Sequence, residues 1–229
     1  MNNLTIRRTV ELGVVILLMA TVAFSSQMDQ KFAQARQQNA QALRQYNWKS
    51  RTEIQKGGET KNVQVNFMSY DREGTLHKSL ISKTPQQNLP THGIRGLIAQ
   101  KKKENFMETL DQLGALARSY GELSPNEMQR FMASAVVTPD MNPQQKLIRI
   151  HGSNVLQPGD SMTVWVDAVT RKQRRVEIQT TLDRKPVRVV SDFQDLPNGL
   201  TYMARSIVNY SGEELTLITE NFDYERVMR

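Results

Sequence analysis

Apolar and polar residues alternate strictly over much of this chain. In VWVDAVTRKQRRVEIQTTLDRKPVRVVSDF, residues 164–193, Val164 and Val166 point to one side while Trp165 and Asp167 point to the other. Val176, Ile178, Thr180 and Leu182 then share a face opposite Arg175, Glu177, Gln179 and Thr181. A period of two is the mark of strands half buried and half wet. The same alternation runs through Tyr46, Trp48, Ser50, Thr52 and Ile54, and turns at Gly57-Gly58 and at Asp71 to Gly74 predict a three-stranded meander. Residues Thr84 to Gly93 carry Pro85 and Pro90 and read as a connector.

The period then changes. Ile94, Leu97, Ile98, Phe106, Leu110, Leu113, Ala117 and Tyr120 recur at three- and four-residue spacings, which predicts a long amphipathic helix closing near Gly121. Ser124-Pro125-Asn126-Glu127 has capping-box spacing with proline at the first helical position, and Met128, Phe131, Met132 and Ala135 form a second apolar stripe. A connector, TPDMNPQQ, leads to a short strand around Leu147 to His151, and Pro158-Gly159-Asp160 turns the chain into the strand bearing Val164. Four more strands follow, separated by short turn segments. Strands, helices and strands again describe an α+β fold with an antiparallel sheet. Such a sheet with two amphipathic helices either packs into a filled core or leaves an apolar cavity, and alternation alone leaves both open.

The first residues add an export pattern. Arg7 and Arg8 precede the apolar run LGVVILLMATVAF from Leu12 to Phe24, followed by Ser25 and Ser26. That order matches a secretory signal, and the run is short of the roughly 20 residues of a membrane span. Cleavage after Ser25 gives a periplasmic or otherwise exported protein; Glu11 beside the run favours the alternative of an N-terminal membrane anchor. Residues 26–45 are predicted as an N-terminal helix rich in Gln and Ala, and 46–229 as one α+β domain with a helical insertion at about 94–135.

Charge and chemistry narrow the function by what they lack. The net charge is +7, with 30 Lys and Arg against 23 Asp and Glu, and there is no cysteine. Disulfides, thiolate metal sites and cysteine nucleophiles are thereby excluded. His77, His92 and His151 lie far apart, Gly57-Gly58 lacks the lysine of a phosphate loop, and no serine sits in a G-x-S-x-G turn. No catalytic residue, metal site or cofactor is nominated, and the expectation is a protein that is not an enzyme. Two basic clusters, Lys101-Lys102-Lys103 and Arg171, Lys172, Arg174 and Arg175, would suit an anionic membrane surface. Nucleic acid is disfavoured, because no aromatic residues interleave with these cations.

VWVDAVTRKQRRVEI, TTLDRKPVRVVSDF and DLPNGLTYMARSIVNY succeed one another between Met162 and the terminal strand ending near Tyr224, and VNFMSYDREGTLHKSLIS precedes them. This succession resembles the LolA-like periplasmic lipoprotein-carrier family. The resemblance implies a strongly curved antiparallel sheet, an incomplete barrel, with the amphipathic helices packed over its concave face and a cavity between them for a lipid or lipoprotein acyl chain. The expected apolar lining is Trp48, Ile54, Val65, Phe67, Val176, Ile178 and Leu182 from the sheet, with Leu110, Leu113, Met128 and Met132 from the helices. The rival expectation is an exported scaffold or interaction module with a filled core and no ligand.

Overall fold

The structure is a computed structural model that describes residues 34–84, 93–140 and 146–227, with residues 93–99 described by their backbone. The signal segment, its cleavage point and much of the two proline-bearing connectors lie outside the described residues. Residues 1–39 and 40–229 form two units. In the first, the described residues are helical, and this helix, α1, extends to residue 43.

The second unit holds ten strands: β1 Tyr46–Lys56, β2 Glu59–Tyr70, β3 Leu76–Lys83, β4 Val136–Pro139, β5 Leu147–Ser153, β6 Ser161–Asp167, β7 Gln173–Leu182, β8 Lys185–Asp195, β9 Thr201–Tyr210 and β10 Leu215–Arg226. Two helices, α2 Gly93–Gly121 and α3 Pro125–Ser134, separate β3 from β4. All strands form one sheet in the order β3-β2-β1-β10-β9-β8-β7-β6-β5-β4, every pair antiparallel. The sheet is open: among the described residues, β3 and β4 are its edges. The chain lays down two meanders, and β1 meets β10 to join them.

Local chemistry explains the reversals. Gly57 and Gly58 have φ of 58° and 78°, and Asp183 and Arg184 have φ of 49° and 63°. Two consecutive left-handed residues make the hairpin turn whose twist matches its flanking strands. Ser124 caps α3 reciprocally: its hydroxyl accepts from the Glu127 amide at 3.3 Å, and the Glu127 carboxylate accepts from the Ser124 amide at 2.7 Å. One element departs from expectation. Val136–Pro139 is a strand paired with β5, whereas the sequence reading gave Thr138 and Pro139 to a connector. Val136 and Val137 favour extended backbone, and Pro139 is tolerated because the strand is an edge.

Helix α2 runs across the ends of the strands. Lys56, at the end of β1, lies 5.3 Å from the centre of the Phe106 ring. Thr109 donates to Glu213 in the β9–β10 turn at 3.0 Å, and the Thr180 hydroxyl of β7 donates to the Tyr120 hydroxyl at 2.9 Å. From Phe106 to Tyr120 the helix rises about 21 Å. The four strand intervals from β1 to β7 span about 19 Å, a similar length. Leu110, Leu113 and Tyr120 are buried along its inner stripe.

Candidate functional site

Strand register extends to the other strands the side of the sheet that Tyr120 and Phe131 touch. Thr180 is hydrogen-bonded to Tyr120, and a Cβ added at Gly152 of β5 would point at the Phe131 ring of α3, 2.8 Å away. Thr180 and Gly152 therefore face the helices, and directly paired residues share their side. One row on that side reads Ile54, Leu217, Val208, Val189, Ile178, Met162 and Gly152 across β1, β10, β9, β8, β7, β6 and β5. It is apolar throughout. The next row reads Gln64, Thr52, Thr219, Ser206, Ser191, Val176, Val164 and Ile150. Hydroxyl and amide groups fill its β2-to-β8 half and aliphatic groups the rest.

Beyond these rows the helix side becomes polar and then aromatic. Asn66, Ser50 and Asn221 are successive partners on β2, β1 and β10. Trp48 follows, stacked parallel on Tyr224 with ring centres 5.5 Å apart; Tyr70 lies 5.7 Å from Trp48, and Tyr202 lies 4.5 Å from Tyr224. Burial pushes the Tyr224 hydroxyl above the usual tyrosine range, with Tyr202 and Tyr70 adding to the effect. The helix side thus carries one apolar row, a second that changes from polar to aliphatic between β8 and β7, and a polar and then aromatic region over β2, β1 and β10.

The expected apolar residues divide on this register. Trp48, Ile54, Val176, Ile178 and Leu182 lie on the helix side. Val65 and Phe67 do not: they pair with Arg51 and Lys49 and face the far side of the sheet. Asn62, Gln64 and Asn66 occupy the helix side of β2, which Val65 and Phe67 were expected to face. In the alternation NVQVNF the apolar half was taken for the inner one, as counting from Trp48 through the Gly57-Gly58 turn implies; a β-bulge between the Gln55–Thr60 and Ile54–Asn62 pairs shifts the register by one and reverses the faces. Leu110, Leu113 and Met128 are buried on the helices. In α3, Phe131 at 3% exposure occupies the stripe's centre, and Met132 is half-buried.

A buried polar network fixes the end of α2. Asp160, 2% exposed, accepts from the Tyr120 hydroxyl at 2.5 Å and from the amides of Val155, Leu156 and Gln157 at 2.5, 2.9 and 2.9 Å. Burial alone would raise the Asp160 carboxyl; the hydrogen bonds from Tyr120 and the three amides overcome it, and the group sits below the usual aspartate range. Burial, followed by the neighbouring carboxylate, pushes the Tyr120 hydroxyl up. The network is fully used in holding helix to loop.

The two basic clusters differ. Asp195 meets both Lys172 and Arg174 at 3.0 Å, and Asp192 meets Arg175 at 3.1 Å. Burial opposes ionisation of Asp195, yet Arg174, Thr201 and Lys172 hold it at about 2. Two carboxylates therefore offset two of the hairpin cluster's four positive charges. Lys101, Lys102 and Lys103 lie exposed on α2. Lys103 also borders a surface groove of about 780 Å³ with Met107 and Asp111.

No family model matches the chain, and no curated protein matches it. Three solved structures are similar. One is a LolA superfamily protein from Nitrosomonas europaea, at 9% identity over 80% of this chain and 86% of that one, with a TM-score of 0.33. Another is an outer membrane lipoprotein-sorting protein domain from Vibrio parahaemolyticus, at 11% identity over 86% and 91%, TM-score 0.43. The third is a DUF1329 family protein from Desulfovibrio piger, at 9% identity over 90% and 92%, TM-score 0.39.

Proposed function

We propose that this protein is an exported, non-catalytic carrier that holds the acyl chain of a lipid or lipoprotein on the helix side of its open sheet. The observation that supports this reading most directly is the apolar row from Ile54 to Met162, which runs through six strands without a polar interruption. Its length across the sheet, about 24 Å at 4.8 Å per strand interval, suits an extended acyl chain. The export pattern at Arg7, Arg8 and Leu12 to Phe24 puts such a carrier outside the cytoplasm. In this reading the sheet curves around the ligand, with α2 and α3 as the cover, and Lys101 to Lys103 approach an anionic membrane surface.

A second reading has its own observation. Phe131 fills the space over Gly152, and Leu113 is fully buried, as in a packed interaction module without ligand. Organic extraction of the purified protein, followed by mass spectrometry, separates the two. A carrier yields about one lipid per chain; a filled module yields none, and failure to bind any added acyl probe would then retire the carrier reading.

A further inference from the structure

Strand β2 presents three carboxamides in line, Asn62, Gln64 and Asn66, to the helix side. Two of them are incomplete. The Asn66 side chain, 2% exposed, has a buried amide nitrogen with no hydrogen-bond partner, and the side-chain oxygen of Asn62 is likewise buried and unpartnered. Buried polar groups almost always find partners, so a vacant donor and a vacant acceptor on one strand face call for a molecule that supplies both. The two residues are four apart on one face, about 13 Å along the strand, so a single hydroxyl cannot serve both.

We infer that this amide ladder receives an uncharged, hydroxyl-rich head group, and that the ligand class is a glycolipid whose sugar lies on β2 while its acyl chain follows the apolar row toward β7. The inference rests on the carrier reading above. Among the described residues, the helix side carries no charged side chain from Asn62 to Met68 on β2, from Trp48 to Ile54 on β1 or from Leu217 to Asn221 on β10. On those stretches a carboxylate or phosphate head group would meet no cation, Arg44 lying beyond them over the Tyr70 ring, and it would leave the Asn62 oxygen without a donor. A zwitterionic head group would bury two charges without counter-charges, at high desolvation cost. Sugar hydroxyls both donate and accept, and carry no charge.

The test is titration calorimetry of the delipidated full chain with dodecyl maltoside and with dodecanoate, both below micelle formation. The expected result is about tenfold tighter binding of the maltoside. Asn66→Leu and Asn62→Leu are each expected to remove most of that preference while leaving dodecanoate affinity unchanged, as a site built to hydrogen-bond a substrate discriminates strongly. Leucine removes an unpaired buried amide, so folding should survive; should Asn66→Leu nonetheless fail to fold, the half-buried Asn62 variant decides. Equal affinity for both ligands, with no change in either variant, overturns the head-group assignment and leaves the carrier intact. Binding of neither ligand overturns both.

Discussion

The hydroxyl of Tyr120, on the last turn of α2, and the carboxylate of Asp160, before β6, lie 2.5 Å apart in the protein interior. This bond ties the far end of a long helix to the sheet it crosses. Tyr120→Phe is expected to destabilise the fold by about 1.5–3 kcal/mol, the range for a hydrogen bond to a charged group. Chemical denaturation of the two proteins measures it.

The same pair sets a pH dependence. The Asp160 carboxyl titrates below its ordinary 3.8 in the folded state. A depressed folded value means that the unfolded chain takes up the proton first as pH falls. The stabilisation is complete above the unfolded value and disappears as pH drops through the folded one, so Asp160→Asn should flatten the acid limb of stability below about pH 4. An unchanged acid limb in the variant would assign that limb to other carboxylates.

Gly152 and Phe131 allow a test of packing. A methyl group at Gly152 would stand 2.8 Å from the Phe131 ring, which is itself buried. Gly152→Ala should cost about 1–3 kcal/mol through overpacking, and Phe131→Leu in the same chain should recover part of it. Non-additivity in that double-mutant cycle is the expected signature of contact.

For the carrier reading, Ile178 and Met132 are the informative positions. Ile178 lies in the apolar row at 3% exposure, while Met132 is half-buried on α3. Ile178→Ala is expected to weaken a fluorescent acyl probe several-fold and to cost less than the roughly 2–5 kcal/mol of a filled core. Met132→Gln should weaken the probe with little loss of stability. Probe titration beside denaturation reads both, and a full-sized loss of stability without probe binding in the parent would return the protein to the filled-core class.

Surface association should depend on α2 more than on the hairpin. Replacing Lys101, Lys102 and Lys103 with Gln is expected to lower binding to anionic vesicles by up to about 1 kcal/mol per residue. Removing Lys172 and Arg174 should do less, because Asp195 already matches them. Asp195→Asn should conversely raise vesicle binding. Co-sedimentation at low and physiological salt provides the measurement.

Much of the architecture was legible in the sequence because its signals are local. The Gly57-Gly58 turn, the Ser124 capping box and the 3.6-residue stripe through Leu110, Leu113 and Tyr120 act within a few residues of themselves. Strand β4 was missed because four residues are too few for a period, and its partner β5 supplies what Val136 and Val137 lack alone. The inward face of β2 was misjudged for a different reason. Apolar side chains usually turn inward, but Val65 and Phe67 turn away because one extra residue, a β-bulge between the Gln55–Thr60 and Ile54–Asn62 pairs, exchanges the faces of β2, and alternation carries no mark of it. The vacancies at Asn62 and Asn66 have no sequence signature, since a missing partner exists only once the chain is folded.

The pairing of β1 with β10 has a kinetic meaning. Lys49 and Asp223, which meet across this seam, are 174 residues apart along the chain. Neither meander gains that contact from its neighbours, and the loop it closes carries nearly the whole fold. Such a late, entropically costly event slows folding relative to chains stabilised by nearby contacts. Until β10 arrives, β1 has an open edge of its own, and during that interval the three-stranded piece β1–β3 is exposed to strand exchange with other molecules. The seam between the third and fourth strands of the finished sheet is thus expected to be the last part of it to form.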